Sequence, residues 1–279
     1  MIAVTGATGG MGTRVARRLA DRRMPLRLIV RDASRAPSIP RADVRQASSY
    51  GAREEMRAAL EGVDTLFLIP AAESLDRLDQ HRAAVDEAVA AGVQRIVYLS
   101  FVGAAGSSFI LGREHGATEQ HIVASGVPYT FPRMNIYMDF IPSMAGEDGV
   151  IRGPADAGRV AAVLRDDLAD AVAVVLTESG HEGRAYDLTG PEAFTLAEAA
   201  EEISRATGRH VVFQDETLEE ARASRAVFGA PAWQVEAWIS SYVAIANGEL
   251  EQVSQDVEKL TGHPPKSLRE YLAESRDAG

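Results

Sequence analysis

The 279-residue chain contains no cysteine, so disulfides, thiolate metal ligands and thiol nucleophiles are all excluded. Lysine is nearly absent, with only Lys259 and Lys266, both near the C-terminus. No long apolar run exists: the longest tract, Val160 to Leu176, is cut by Arg165, Asp166, Asp167 and Asp170, so no segment reads as membrane-spanning. Positive charge is also in deficit. A net charge of −11 argues against wholesale binding to nucleic acid or to anionic membrane surfaces. The six histidines show no metal-ligand spacing, and His115 and His121 are too far apart to share a helical face, so no metal is expected. Ser100 lacks the Gly-x-Ser-x-Gly frame of a serine hydrolase. Because an apolar strand begins just after Met1, no signal peptide fits, and a cytoplasmic protein is the expectation.

What is present begins at once. Ile2 to Val4 form a short apolar strand that runs into Thr5, Gly6, Ala7, Thr8, Gly9, Gly10, Met11 and Gly12. A helical pattern at Val15, Ala16, Leu19 and Ala20 follows. Glycines between a strand and a helix let the backbone turn sharply and approach a pyrophosphate, while the helix N-terminus offers unpaired N–H groups. A bare glycine turn is the alternative, but the flanking strand and helix favour a dinucleotide cradle.

Strand-like and helix-like segments then alternate. Strands are expected at Leu26–Val30, Asp43–Gln46, Asp64–Ile69, Arg95–Ser100 and Tyr129–Pro132, and helices at Ala52–Leu60, Leu75–Ala91 and Arg113–Ser125. Uninterrupted apolar runs such as Thr65 to Ile69 suit strands buried on both faces of a parallel sheet. Gly62, Gly92 and Gly126 stand where left-handed helix caps belong. Further on, a helix is expected over Asp166–Thr177, with its aspartates complementing the dipole, and a strand over Arg184–Thr189. Thr195 and Glu198 form a capping box for a helix ending at Gly208. A short strand over His210–Gln214 and helices at Leu218–Phe228, Trp233–Asn247 and Val257–Leu260 complete the pattern. The fold class is α/β: a Rossmann-type, doubly wound parallel sheet with a smaller, mostly helical C-terminal lobe. Residues 1–133 with 160–190 would form the NAD(P)-binding domain, and 134–159 with 191–279 the substrate lobe. Ligands would bind in a cleft at the carboxyl ends of the strands.

Four stretches resemble the atypical short-chain dehydrogenase/reductases of the NmrA-like type, in particular their NADPH-dependent quinone oxidoreductases. They are the loop Thr5–Gly12, the strand end Val30-Arg31, the run Glu114–Glu119 followed by Ser125–Thr130, and Tyr186–Ala193. The resemblance spans nearly the whole chain. It implies that Ile69, Pro70 and Ala71, and then Ser100 and Phe101, flank the adenosine and nicotinamide ribose. It also places Arg133, Met134 and Asn135 beside the nicotinamide.

NAD binders usually end the second strand on a carboxylate, NADP binders more often on arginine. Arg31, with Arg35 one turn on, favours NADP(H) over NAD(H). Asp32 would repel a phosphate if it turned inward, and the bland alternative is that both arginines merely solvate a loop.

Typical members of the wider family use Tyr-x-x-x-Lys, and no tyrosine here has lysine four residues on. The usual alcohol–ketone chemistry is therefore excluded. His115 and Glu119 share a helix face and could relay a proton, with the glutamate orienting the imidazole; an exposed pair without a catalytic part is the alternative. Quinones fit a site without a strong acid, because the hydroquinone anion is stabilised by its ring. Asn135, Tyr137, Met138 and Phe140 are candidate walls for a flat acceptor, although Met138 and Phe140 read more readily as core. Trp233 and Trp238, with Val235 and Ile239, read as an apolar stripe facing the sheet lobe or a second copy in a homodimer, with a ligand cage as the less favoured alternative. The leading expectation is an NADPH-dependent oxidoreductase reducing a quinone. The rivals are a non-catalytic, NADP(H)-sensing regulator of a protein partner and a reductase of an activated double bond in a specialised metabolite.

Overall fold

The computed structural model describes residues 1–277. The elements in chain order are β1 (Ile2–Thr5), α1 (Gly10–Asp21), β2 (Leu26–Val30), β3 (Asp43–Gln46), α2 (Arg53–Leu60), β4 (Thr65–Leu68), α3 (Arg77–Ala90), β5 (Arg95–Tyr98), β6 (Ser100–Phe101), α4 (Ile110–Ala124) and β7 (Tyr129–Met134). Then come β8 (Val150–Gly153), β9 (Arg159–Val160), α5 (Arg165–Thr177), β10 (Arg184–Leu188), β11 (Phe194–Thr195), α6 (Leu196–Thr207), β12 (Val212–Asp215), α7 (Leu218–Arg225), α8 (Ala232–Ala246), α9 (Asp256–Thr261) and α10 (Leu268–Asp277).

Two compact units result. The first holds Met1–Phe101, Glu114–Arg133 and Leu168–Tyr186; the second holds Val102–Arg113, Met134–Asp167 and the described residues from Asp187 onward. Residues 102–113, 160–167 and 187–190, which the sequence placed in the cofactor domain, thus lie in the second unit. Local pairing explains this. Val160 pairs with Phe194, the Ala161 amide bonds to Leu250 O, and Glu249 accepts from Ser107 and Ser108.

In the first unit the strands run β10-β7-β5-β4-β1-β2-β3, with β6 on β7. Adjacent strands from β3 through β1 to β7 are parallel. The order reverses between β1 and β4, so the loop after β1 opens at the switch point where such sheets take their ligands. β1 and β2 are buried along their whole lengths, as their unbroken apolar runs require. Helix α1 turns Met11, Val15, Ala16 and Leu19 onto the sheet. Leu66, Leu68, Ile96 and Tyr98 pack with Met56, Leu60 and Ile122 in a core where each large side chain contributes about 1.5–3 kcal/mol. The caps at Gly62, Gly92 and Gly126 are left-handed, as expected.

The second unit has only paired short strands, β8 with β12 in parallel and β9 with β11 antiparallel, set among helices. The capping box of Thr195 and Glu198 opens α6 and a left-handed Gly208 closes it. A second box, Thr217 with Glu220, opens α7. Tyr242 of α8 lies where a side chain at Gly153 would sit: a Cβ there would be 2.1 Å from Tyr242 Cδ1. No helix among the described residues is long and apolar enough to cross a membrane.

Candidate functional site

The loop after β1 is built around what glycine omits. Gly6 adopts φ +58°, and its carbonyl accepts the Gly9 amide at 2.9 Å. A Cβ on Gly12 would lie 2.3 Å from Gly6 O, so the first turn of α1 seats on the loop only with hydrogen at that position. Thr13 Oγ1 donates to Ala7 O at 2.8 Å and locks the turn. Gly9 is the N-cap residue, with no side-chain cap, and the first turn carries no carboxylate. The helix therefore presents its positive end with Thr8, Gly9 and Gly10 exposed and Met11 turned into the core.

At the end of β2, Arg31, Asp32 and Arg35 are all exposed. Asp32 accepts from the Ser34 amide at 2.9 Å and from Ser34 Oγ at 2.7 Å. These bonds hold its carboxyl below the usual range and commit it to its own turn. The carboxylate that threatened phosphate recognition is thus tied down.

The loop after β4 is held by side chains. Ile69 donates its amide to Thr5 Oγ1 at 2.9 Å and accepts from Tyr50 Oη at 2.7 Å. Ala71 donates to His81 Nε2 and accepts from Arg77 Nε, each at 2.9 Å. Pro70 between them has no amide to satisfy. His81, held by that amide, carries its proton on Nδ1 and donates to Thr118 Oγ1 at 2.9 Å; Thr118 Oγ1 in turn donates to Glu114 O at 2.8 Å. Burial takes His81 down to about 3, with the nearby Arg77 charge assisting.

His115 belongs to the same network. Its Nδ1 lies 3.0 Å from Tyr98 Oη, and Nε2 lies 3.4 Å from Arg77 Nη2. The facing guanidinium makes Nε2 the acceptor, so Nδ1–H donates to Tyr98. Phe101 stacks on the imidazole with centroids 6.0 Å apart. Burial, then Arg77 and His81, press the His115 pKa well below its ordinary value, so it is neutral at physiological pH. The expected His115–Glu119 pair does not form. Glu119 is instead gripped at both oxygens by Arg133, at 2.8 and 2.7 Å. The exposed-pair alternative fails too, because His115 and Glu119 are both buried. The fork geometry of arginine outcompetes a neutral imidazole for the carboxylate. Ser100, at the end of the same sheet, is fully buried with its Oγ lacking any hydrogen-bond partner among the described residues.

The remaining predicted residues lie in the second unit. Met134 O accepts the Val102 amide at 2.9 Å. Asn135 is buried, with Nδ2 on Leu250 O at 3.0 Å and Oδ1 accepting the Ile136 amide at 2.7 Å, so its amide is spent on backbone. Tyr137 lies under the Arg165 guanidinium, 4.2 Å from the ring centroid, and burial pushes its hydroxyl up to about 12. Met138 is core, as read. Phe140 is not: it is 51% exposed.

Sequence reasoning passed over Tyr50, Arg77, His81 and Tyr98. One signal was available, since Arg77 and His81 are four apart and share a helix face. No group of histidine or acidic residues among the described residues could hold a metal.

Residues 6–179 match the family model for NAD(P)H-binding proteins. Quinone oxidoreductase 2 of Escherichia coli is 36% identical over 98% of this chain and 98% of its own. An NAD(P)H azoreductase of Xenophilus azovorans is 33% identical over 97% and 96%. The crystal structure of an NADPH-dependent quinone oxidoreductase from Escherichia coli, solved with NADPH, superposes with a TM-score of 0.91 at 35% identity, covering 99% of both chains. With its glycine loop at the switch point of a parallel sheet, the chain belongs to the NAD(P)H-binding family.

Proposed function

We propose that this chain is an NADPH-dependent reductase that passes a hydride to a quinone-like, conjugated acceptor in a cytoplasmic setting. The observation that carries this reading is the loop of Gly6, Gly9 and Gly12, whose close packing leaves an uncapped helix end bare. The relatives named above, a quinone oxidoreductase and an azoreductase, support the acceptor class.

The residues fit a dinucleotide. Backbone amides of Gly10, Met11 and Gly12 would bind the diphosphate, with Gly6, Thr8 and Gly9 shaping the approach. Arg31 and Arg35 would hold a 2′-phosphate, and the tethering of Asp32 removes the repulsion that would oppose it. Ile69, Pro70 and Ala71 would line the adenosine side on a loop fixed by four side chains. The orphaned Ser100 Oγ would meet a ribose hydroxyl, with Phe101, Arg133 and Met134 further along. Bound NADPH would supply the hydride. Neither His115 nor Glu119 is disposed as an acid, since one is neutral and buried and the other is paired with Arg133. An acceptor whose reduced anion is stabilised by its own ring, and which takes its proton from water, matches such a site. A simple ketone would leave a high-energy alkoxide with no donor.

Purified protein, NADPH and a panel of quinones test the reading through loss of reduced-nicotinamide absorbance. Tight NADPH binding without turnover on any acceptor would overturn it in favour of the NADP(H)-responsive regulator.

A further inference from the structure

The loop after β4 draws on an uncommon amount of buried polarity. The amide and carbonyl of Ile69 go to Thr5 and Tyr50, and those of Ala71 go to His81 and Arg77. Backbone groups in a loop at a strand end can be satisfied by water instead. Arg77 and His81 are only 4% and 0% exposed, so a guanidinium and an imidazole have left water to hold one alanine. Such burial is costly unless each polar atom finds a partner.

Partners are present on every side. Arg77, the first residue of α3, donates Nε to Ala71 O at 2.9 Å and Nη1 to Glu114 Oε2 at 2.5 Å. His81, one turn on, accepts the Ala71 amide at Nε2 and gives its Nδ1 proton to Thr118 Oγ1, both at 2.9 Å. A spacing of four puts the two side chains on one face of α3, where they reach both polar groups of a single residue. Helix α4 backs each of them, through Glu114 and Thr118. What they hold lies against the glycine loop. A Cβ on Gly6 would meet Ile69 Cγ2 at 3.4 Å, and Thr5, just before Gly6, takes the Ile69 amide. All of these residues belong to the first unit.

We propose that Arg77 and His81 are positioning residues for the dinucleotide, clamping Ala71 at both its amide and its carbonyl so that the adenosine side of the site is set before the cofactor arrives. The role rests on the NADPH reading above, which puts Ile69, Pro70 and Ala71 against the adenosine. Neither side chain needs to touch the cofactor. A loop that is already ordered loses no freedom on binding, so the clamp contributes affinity and leaves the hydride step alone. Adenosine is common to both nicotinamide cofactors. Loss of the clamp therefore weakens NADPH and NADH by the same factor, whereas Arg31 is assigned to the 2′-phosphate alone.

The test compares two variants that each keep half of the imidazole's bonding. His81→Gln places an amide oxygen where Nε2 stood and reaches Ala71, while His81→Asn places its amide where Nδ1 stood and reaches only Thr118. Titrations of NADPH, NADH and adenosine 2′,5′-bisphosphate should find all three about tenfold weaker in His81→Asn, and within about threefold of wild type in His81→Gln. Thr118→Val removes the hydroxyl that fixes the imidazole proton; it should weaken the same ligands about threefold, and it tests the clamp should His81→Asn fail to fold. Urea midpoints are measured on every variant, because a merely structural role would make affinity follow stability. Equal affinities in His81→Gln and His81→Asn, or wild-type affinity in Thr118→Val, would overturn the proposal while NADPH binding by the wild type stood. Weakened NADPH with unchanged adenosine 2′,5′-bisphosphate would overturn it too. The expected pattern in a protein that reduces no acceptor would uphold the clamp and overturn the reductase reading alone.

Discussion

The candidate sites of the two units depart from the usual sorting of residues in different ways. The first buries polar groups: Arg77, His81, His115, Thr118 and Ser100 lie inside, and most are hydrogen-bonded to one another or to the Ile69–Ala71 backbone. The second exposes apolar ones, Phe140, Val227 and Phe228, around a hollow. Buried polar groups fix a loop in one geometry, whereas an exposed apolar surface stays ready to be covered. The first unit buries two arginines, Arg27 and Arg77, and the second buries Arg225. Arg77 serves the Ala71 carbonyl, the Glu114 carboxylate and a neutral imidazole, while Arg225 serves the Glu216 carboxylate and an aromatic face. The type of exception to the sorting rule indicates whether a part of the molecule is rigid or receptive.

The contrast can be broken most forcefully at Arg225. Arg225→Met strands the buried Glu216 carboxylate and should cost about 3–5 kcal/mol in urea unfolding. A loss no larger than that of an exposed pair would show that this ion pair does not brace the hollow. In the first unit, Gly12→Ala drives a methyl into Gly6 O, a backbone atom that cannot step aside. A stability loss of about 3 kcal/mol is expected by calorimetry, with NADPH affinity falling more than about tenfold by titration.

Acid should discriminate between the units as well. His81 and His115 have folded pKa values depressed below the ordinary histidine value, so below about pH 6.5 the unfolded chain binds more protons than the native one. Their stabilisation is complete above the unfolded pKa and is lost as pH falls from there toward the folded pKa. For His81, at about 3 when folded, the loss between pH 6.5 and pH 5 is about 2 kcal/mol. Urea midpoints measured across that interval should fall in the wild type and fall less in His81→Gln. The smallest effect belongs to an exposed position. Arg31→Ala should weaken NADPH about tenfold and leave NADH unchanged in parallel titrations.

Much of the first unit could be read from the chain because its signals are local. The glycine loop, the unbroken strands and the helix caps each lie within a few residues of what they organise, as does the Thr195–Glu198 box of the second unit. The site resisted reading because its partners are distant in sequence. Glu119 is claimed by Arg133, fourteen positions along and on β7, and His115 by Tyr98 of β5 and Arg77 of α3. Helical spacing correctly put His115 and Glu119 on adjoining turns, but it carries no information about what the sheet brings against them. Phe140 was misjudged as core for a related reason: hydrophobicity favours burial on average and does not decide it for a single residue. The strands β8, β9 and β11 escaped notice because two to four residues show too little alternation to distinguish them from loop.

Gly153 brings a last consequence. It is absent from the lining of the second unit's hollow, yet its missing side chain is what allows the Tyr242 ring to settle against β8. The depth of the hollow is thus governed from behind, by a residue that does not face it. Even a methyl at that strand position would lift the ring and make the chamber shallower, so its capacity could be retuned while every visible wall kept its identity.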